Sequence, residues 1–140
     1  MQLSSQKLDQ EFYENLGKLF YAMAMADRRV HPKEIEKLRT FIRQYWLDID
    51  ASKDDFGESA IYQIEIVFDW LMEKEKDSSS CLKEFEEFYL AHPQKFSVHK
   101  KILILDTANA IAASFSGKNK AELILLGRLQ LLFSSPKKPT

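Results

Sequence analysis

The chain has 140 residues and a mass of 16.3 kDa, the length of one ordinary domain that buries its own core without staples. Apolar residues at 45% and charged residues at 29% exclude wholesale disorder, and a lone cysteine, Cys81, excludes a disulfide scaffold. The net charge of −1 hides a division: residues 1–46 carry +2, residues 47–90 carry −9 and residues 91–140 carry +6. An acidic middle speaks against a nucleic-acid binder, which needs a continuous basic face to displace counterions from phosphates. Four glycines and four prolines are too few for many short strands joined by tight turns, so the chain reads as a few long helices.

Leu8, Phe12, Leu16, Leu19, Phe20 and Met23 form the apolar stripe of a first helix, starting near Ser4 or Ser5 and running to about Ala26. Residues 27–31 are a tight connector. Pro32 opens a second helix whose Ile35, Leu38, Ile42 and Tyr45 share a face, proline being at home where no intrahelical N–H bond is needed. Residues 47–57, with Asp48, Asp50, Asp54 and Asp55, read as a loop. Ile61, Ile64, Phe68 and Leu71 mark a third helix, and Tyr62, Ile66 and Trp70 widen its apolar arc.

Asp77 to Ser80 is a turn whose serines can cap the next helix, which carries Leu82, Phe85 and Tyr89 and ends at His92-Pro93. From Gln94 a fifth segment runs to about Ser116. Its portion 102–113 is apolar almost all round, which predicts the central, most buried helix, with Asp106 and Asn109 on one solvent-facing strip. Ser116-Gly117-Lys118 is a break. Asn119 with Glu122 makes a capping-box-like start for a last helix bearing Leu123, Leu126, Leu129, Leu132 and Phe133. Residues 134–140 read as a short frayed tail, leaving one domain with a core over about 5–133.

Residues 16–42 can be laid against residues 103–133. Each segment has a helix ending in small residues (Ala22, Ala24, Ala26; Ala108, Ala110, Ala112, Ala113), a short connector, and a helix with glutamate one turn in (Glu34; Glu122). The predicted architecture is therefore all-α: a single-domain bundle of about six helices built on two related helical hairpins.

The run Ala24-Met25-Ala26-Asp27-Arg28-Arg29-Val30-His31-Pro32-Lys33-Glu34, flanked by helices, resembles the A-x-A-D-G-x-V-x-x-x-E signature of the TerB-like tellurite-resistance domain. The resemblance covers residues 10–133, and a related module is the TerB-like domain of membrane-anchored J-domain co-chaperones. It implies an all-helical stress-response domain in which acidic residues near the hairpin connectors hold a divalent metal. Two departures stand out. Arg28 replaces the family's glycine after aspartate, and Ser114 or Phe115 stands where the second hairpin would carry its aspartate.

Asp27 and Glu34 are accordingly the candidate metal ligands, for Ca²⁺ or Mg²⁺, although such hard cations take six or more oxygens and two carboxylates alone make a weak site. Equally, Glu34 suits a helix N-terminus, and Asp27 suits a turn with Arg28 or Arg29 as its partner. Glu65, Asp69 and Glu73 line one face of the third helix, with Glu58 further back, and Glu84 and Glu87 lie on the fourth. They read either as solvated faces or as a seat for a basic partner. His31, His92 and His99 have no zinc-like spacing with Cys81. That cysteine is a small apolar residue at a helix start, where a thiol can also have a lowered pKa. No nucleophile elbow, phosphate loop or zinc-protease motif is present, so no catalytic residue, organic cofactor or small-molecule substrate is nominated.

The sequence thus predicts a non-enzymatic TerB-like module that binds a protein partner and a divalent cation. The alternative is a metal-independent interaction or scaffold domain. With no secretory signal in residues 1–12 and no apolar run of the ~20 residues that a span needs, the expected setting is the cytoplasm, without membrane insertion or nucleic acid.

Overall fold

The computed structural model describes residues 2–25, 32–47, 54–114 and 120–134, with side chains described for 10–25, 36–44, 46, 62–113 and 123–134. Among these residues six α-helices follow in order: α1 (Gln2–Ala24), α2 (Pro32–Leu47), α3 (Asp54–Lys74), α4 (Ser78–Ala91), α5 (Val98–Ser114) and α6 (Lys120–Ser134). A 3₁₀ turn, Pro93–Lys95, joins α4 to α5. No strand occurs among the described residues, and the chain is an all-α helical bundle.

The central helix is α1. Its residues from Leu19 through Ala24 are all fully buried, as are Phe12 and Leu16, and it packs on α3, α4, α5 and α6. This corrects the expectation that α5 would hold the centre. Among the described side chains of α5 only Ile104, Thr107, Ala108, Ile111 and Ala112 are buried, while Ile102, Asp106, Asn109 and Ala113 form an exposed strip at helical spacing. Uniform apolarity placed α5 in the core; a single polar strip sufficed to keep it at the edge.

Gly17 explains how α3 lies so close to α1. A Cβ at that position would stand 3.0 Å from both the Ile64 carbonyl oxygen and the Val67 Cβ, so any larger residue would press the two helices apart by a few tenths of an ångström. Further along, the Tyr21 ring meets Phe68 edge-on at 5.9 Å. Sequence positions rise together on both helices, so α1 and α3 run in the same direction.

Helix α2 packs on α3 and α5. Its Leu38, Ile42 and Trp46 are buried. The Trp46 indole N–H donates to the hydroxyl of buried Thr107 at 3.0 Å, and that hydroxyl donates to the Leu103 carbonyl at 2.8 Å. A buried polar chain of this kind fixes the pairing of α2 with α5, because the Trp46 N–H would be stranded without Thr107. Trp46 is a core residue that the stripe Ile35, Leu38, Ile42, Tyr45 does not include.

Several boundaries differ from expectation: α1 begins at Gln2 rather than Ser4 or Ser5, and α5 at Val98 rather than Gln94, the 3₁₀ turn Pro93–Lys95 standing before it. Helix α3 already begins at Asp54, so the predicted loop is shorter at its C-terminal side. Acidic residues in a first turn favour the positive helix end rather than break it. The cap of α4 is Asp77 and not a serine: its carboxylate accepts from the Ser80 N–H at 3.0 Å and from the Ser80 hydroxyl at 3.2 Å. The break at 116–118 and the cap residue Asn119 lie outside the described residues.

Candidate functional site

Helix α3 has two apolar stripes. Ile64, Phe68 and Leu71 face α1 and are buried, as expected. Tyr62, Ile66 and Trp70 do not widen that arc. Spaced four residues apart, they form a separate ridge on the solvent side, exposed by 64%, 49% and 49%. Two cations lie over the Trp70 ring: Lys74 Nζ is 5.9 Å and Lys76 Nζ 5.7 Å from its centroid.

The acidic face beside this ridge is divided. Asp69 pairs with Arg39 at 2.7 Å, and Glu65, itself buried, pairs with Arg43 at 3.1 Å. Two arginines four residues apart on α2 thus match two acids four residues apart on α3, and the pairs tie these helices together. The solvated-face reading fails for Glu65, which is buried, and holds for Asp69 and Glu73, which are exposed. On α4, Glu84 pairs with Lys18 at 3.0 Å, and Glu86 accepts two bonds from Arg128 at 2.9 and 3.0 Å. Glu87 is exposed. Pairs as exposed as these contribute at most about 1 kcal/mol each, so their role is mainly register.

An open cleft of about 530 Å³ lies where α1 ends beside the α3–α4 connector, lined by Tyr21, Met25, Met72, Glu75, Lys76, Asp77 and Ser78. Its wall is a tight helix stop: the Glu75 N–H donates to Met72 and the Lys76 N–H to Leu71, each at 3.2 Å. Glu75 takes φ 53° there, where glycine is the usual occupant. Two of the cleft's polar groups are committed. Tyr21 donates its hydroxyl to the Lys76 carbonyl at 2.6 Å, and Asp77 caps α4. Burial, aided by Cys81, Glu75 and Asp77, pushes the Tyr21 phenol above its ordinary pKa, so it stays protonated.

Cys81 is buried, and burial, with Glu84 adding, pushes its thiol up rather than down despite Lys18 nearby. The reading of Cys81 as a small apolar residue holds, and desolvation outweighs the helix end, so its thiol pKa is not lowered. His92 lies against the Phe88 ring at 4.9 Å as the C-cap of α4, and His99 is exposed.

Of the expected metal pair, Asp27 lies outside the described residues, together with Arg28, Arg29 and His31. Glu34 sits in the first turn of α2, with its side chain outside the description. Among the described residues no three His, Cys, Asp or Glu side chains are grouped to hold a metal ion, and no helix is long and apolar enough to cross a membrane. Comparison with family profiles, curated proteins and solved structures finds no match for this chain.

Proposed function

We propose that this chain is a non-enzymatic helical module that binds a protein partner through the outer ridge of α3. The observation that carries the reading is the in-register exposure of Tyr62, Ile66 and Trp70. Tyrosine and tryptophan are the side chains that most often anchor interfaces, because they combine large apolar area with little conformational entropy. Three such residues on one face of a helix offer what an amphipathic partner helix reads.

The occupant that fits is an amphipathic helix whose polar flanks carry both signs, because Glu73 stands open at the ridge while Lys74 and Lys76 lie over Trp70. The non-enzymatic reading is supported by the cleft beside Tyr21, whose phenol and Asp77 carboxylate are already engaged in structural bonds.

The test is affinity capture with the wild-type chain and with Ile66→Asp, both confirmed to melt at the same temperature. A partner retained by the first and lost by the second supports the proposal. A partner held equally by both contradicts it.

Membership of the TerB-like family, a stress or tellurite-resistance role, a cytoplasmic setting and a divalent cation at Asp27 and Glu34 belong to the same proposal and rest on the resemblance of residues 24–34. The cation part predicts that Ca²⁺ or Mg²⁺ raises the melting temperature by several degrees over chelator and that Asp27→Asn with Glu34→Gln removes the rise. A melt indifferent to both cations would remove the metal from the account.

A further inference from the structure

The corner where α4 turns into α5 exposes apolar side chains among cations. Leu90, in the last turn of α4, is 68% exposed, and Val98, the first residue of α5, is 73% exposed. Ile102, one turn along from Val98, is exposed as well. Among them in the chain stand Lys95, His99, Lys100 and Lys101, and the sequence holds no acid from Phe88 through Leu105. Lys100 Nζ and Lys101 Nζ rest over the Phe12 and Tyr89 rings, 4.8 and 5.5 Å from the centroids, so packing holds both charges at this corner. The acids of the neighbouring helices are set back or engaged. Glu86 and Glu87 lie a turn before the end of α4, and Glu86 is bound to Arg128. On α1, Glu11 and Glu14 are half-buried, and Glu14 accepts from Gln10.

We infer that this corner docks the chain on the surface of an anionic lipid bilayer. Charge complementarity names the occupant: each lysine near an anionic leaflet contributes about fivefold in partitioning, so Lys95, Lys100 and Lys101 together favour an anionic over a neutral surface by on the order of a hundredfold. Residue type separates lipid from protein. Protein interfaces are built on aromatic and arginine anchors and are poor in lysine, whereas here the cations are lysines and the exposed apolar groups are aliphatic. The α3 ridge, with Tyr62 and Trp70, has the other make-up. Aliphatic side chains beside lysines suit the headgroup region, where the lysine stems lie along the acyl boundary and the ammonium groups reach the phosphates. The docking is peripheral, because no described helix is long and apolar enough to cross a membrane.

Vesicle co-sedimentation of the full chain tests this, with equimolar phosphatidylcholine and phosphatidylglycerol against phosphatidylcholine alone. The wild type is expected to partition onto the anionic vesicles by on the order of a hundredfold over the neutral ones, and to leave them when salt is raised from about 0.05 to about 0.5 M. Val98→Asp should lower the anionic partition about tenfold with the melting temperature unchanged, and Leu90→Gln is the second variant should the first fail to fold. Ile66→Asp, on α3, should leave the partition as it is. A chain that ignores both vesicles, or binds both equally, overturns the inference. So does binding that survives Val98→Asp, or binding lost in Ile66→Asp, which would place the lipid on α3. A chain that ignores the vesicles yet binds polyglutamate in a manner sensitive to Val98→Asp also overturns it and gives the corner to an acidic protein.

Discussion

Replacing Phe96 with alanine is expected to lower stability by about 3–5 kcal/mol, a fall of roughly 10 °C or more in melting temperature. Phe96 belongs to no α-helix; it follows the 3₁₀ turn between α4 and α5 and is buried. Its ring centroid lies 5.0 Å from Phe12, 5.9 Å from Phe85, 6.1 Å from Phe88, 4.9 Å from Tyr89 and 6.1 Å from Phe133, so one side chain joins α1, α4 and α6. Most of these contacts are edge-to-face, the geometry that the ring quadrupoles favour. Lys100 over Phe12, at 4.8 Å, and Lys101 over Tyr89, at 5.5 Å, close the cluster toward solvent. Truncation removes the hub, and helices anchored on three sides cannot collapse to fill the gap. Urea denaturation measures the loss; a value under about 1 kcal/mol would show that the cluster repacks freely.

The second large effect is expected at Gly17. Valine there must push its Cβ into the Ile64 carbonyl and the Val67 side chain, and the obstacle includes backbone, which cannot swing aside. The expected loss is about 1–3 kcal/mol, even though replacing a helix-interior glycine otherwise returns roughly 0.5–1 kcal/mol. Alanine at Gly17 sets those two terms against each other, whereas alanine at Gly127, with open space around it, keeps only the gain. The two substitutions should therefore differ in ΔG by about 1 kcal/mol or more in denaturant titrations. Equal effects would mean that α1 and α3 are not held at this distance.

The stripes of α1 and α4 were legible from spacing alone, because Phe12, Leu16, Leu19 and Phe20, and likewise Leu82, Phe85 and Tyr89, repeat at the helical period and are buried. The central position of α1 was less visible, although a signal existed: residues 19–24 contain no charge and are all buried. On α3 the residue types Tyr, Ile and Trp carried no mark of inside or outside. Only the packing of α1 and α2 on that helix decided which stripe stayed wet. The pairing of Arg39 and Arg43 with Asp69 and Glu65 had a readable cue, two basic and two acidic residues each four apart, but spacing within helices does not say which helices meet. The Asp27 and Glu34 site rests on the sequence resemblance alone.

The central claim, that the ridge of α3 is covered by a partner, is tested most directly by tryptophan fluorescence. Trp46 is fully buried and Trp70 half exposed, so a soluble quencher reads chiefly Trp70 in the free protein. With the captured partner added, the account predicts a blue shift of the emission and loss of the quenchable fraction. A partner that binds while Trp70 stays as quenchable as before would contradict it.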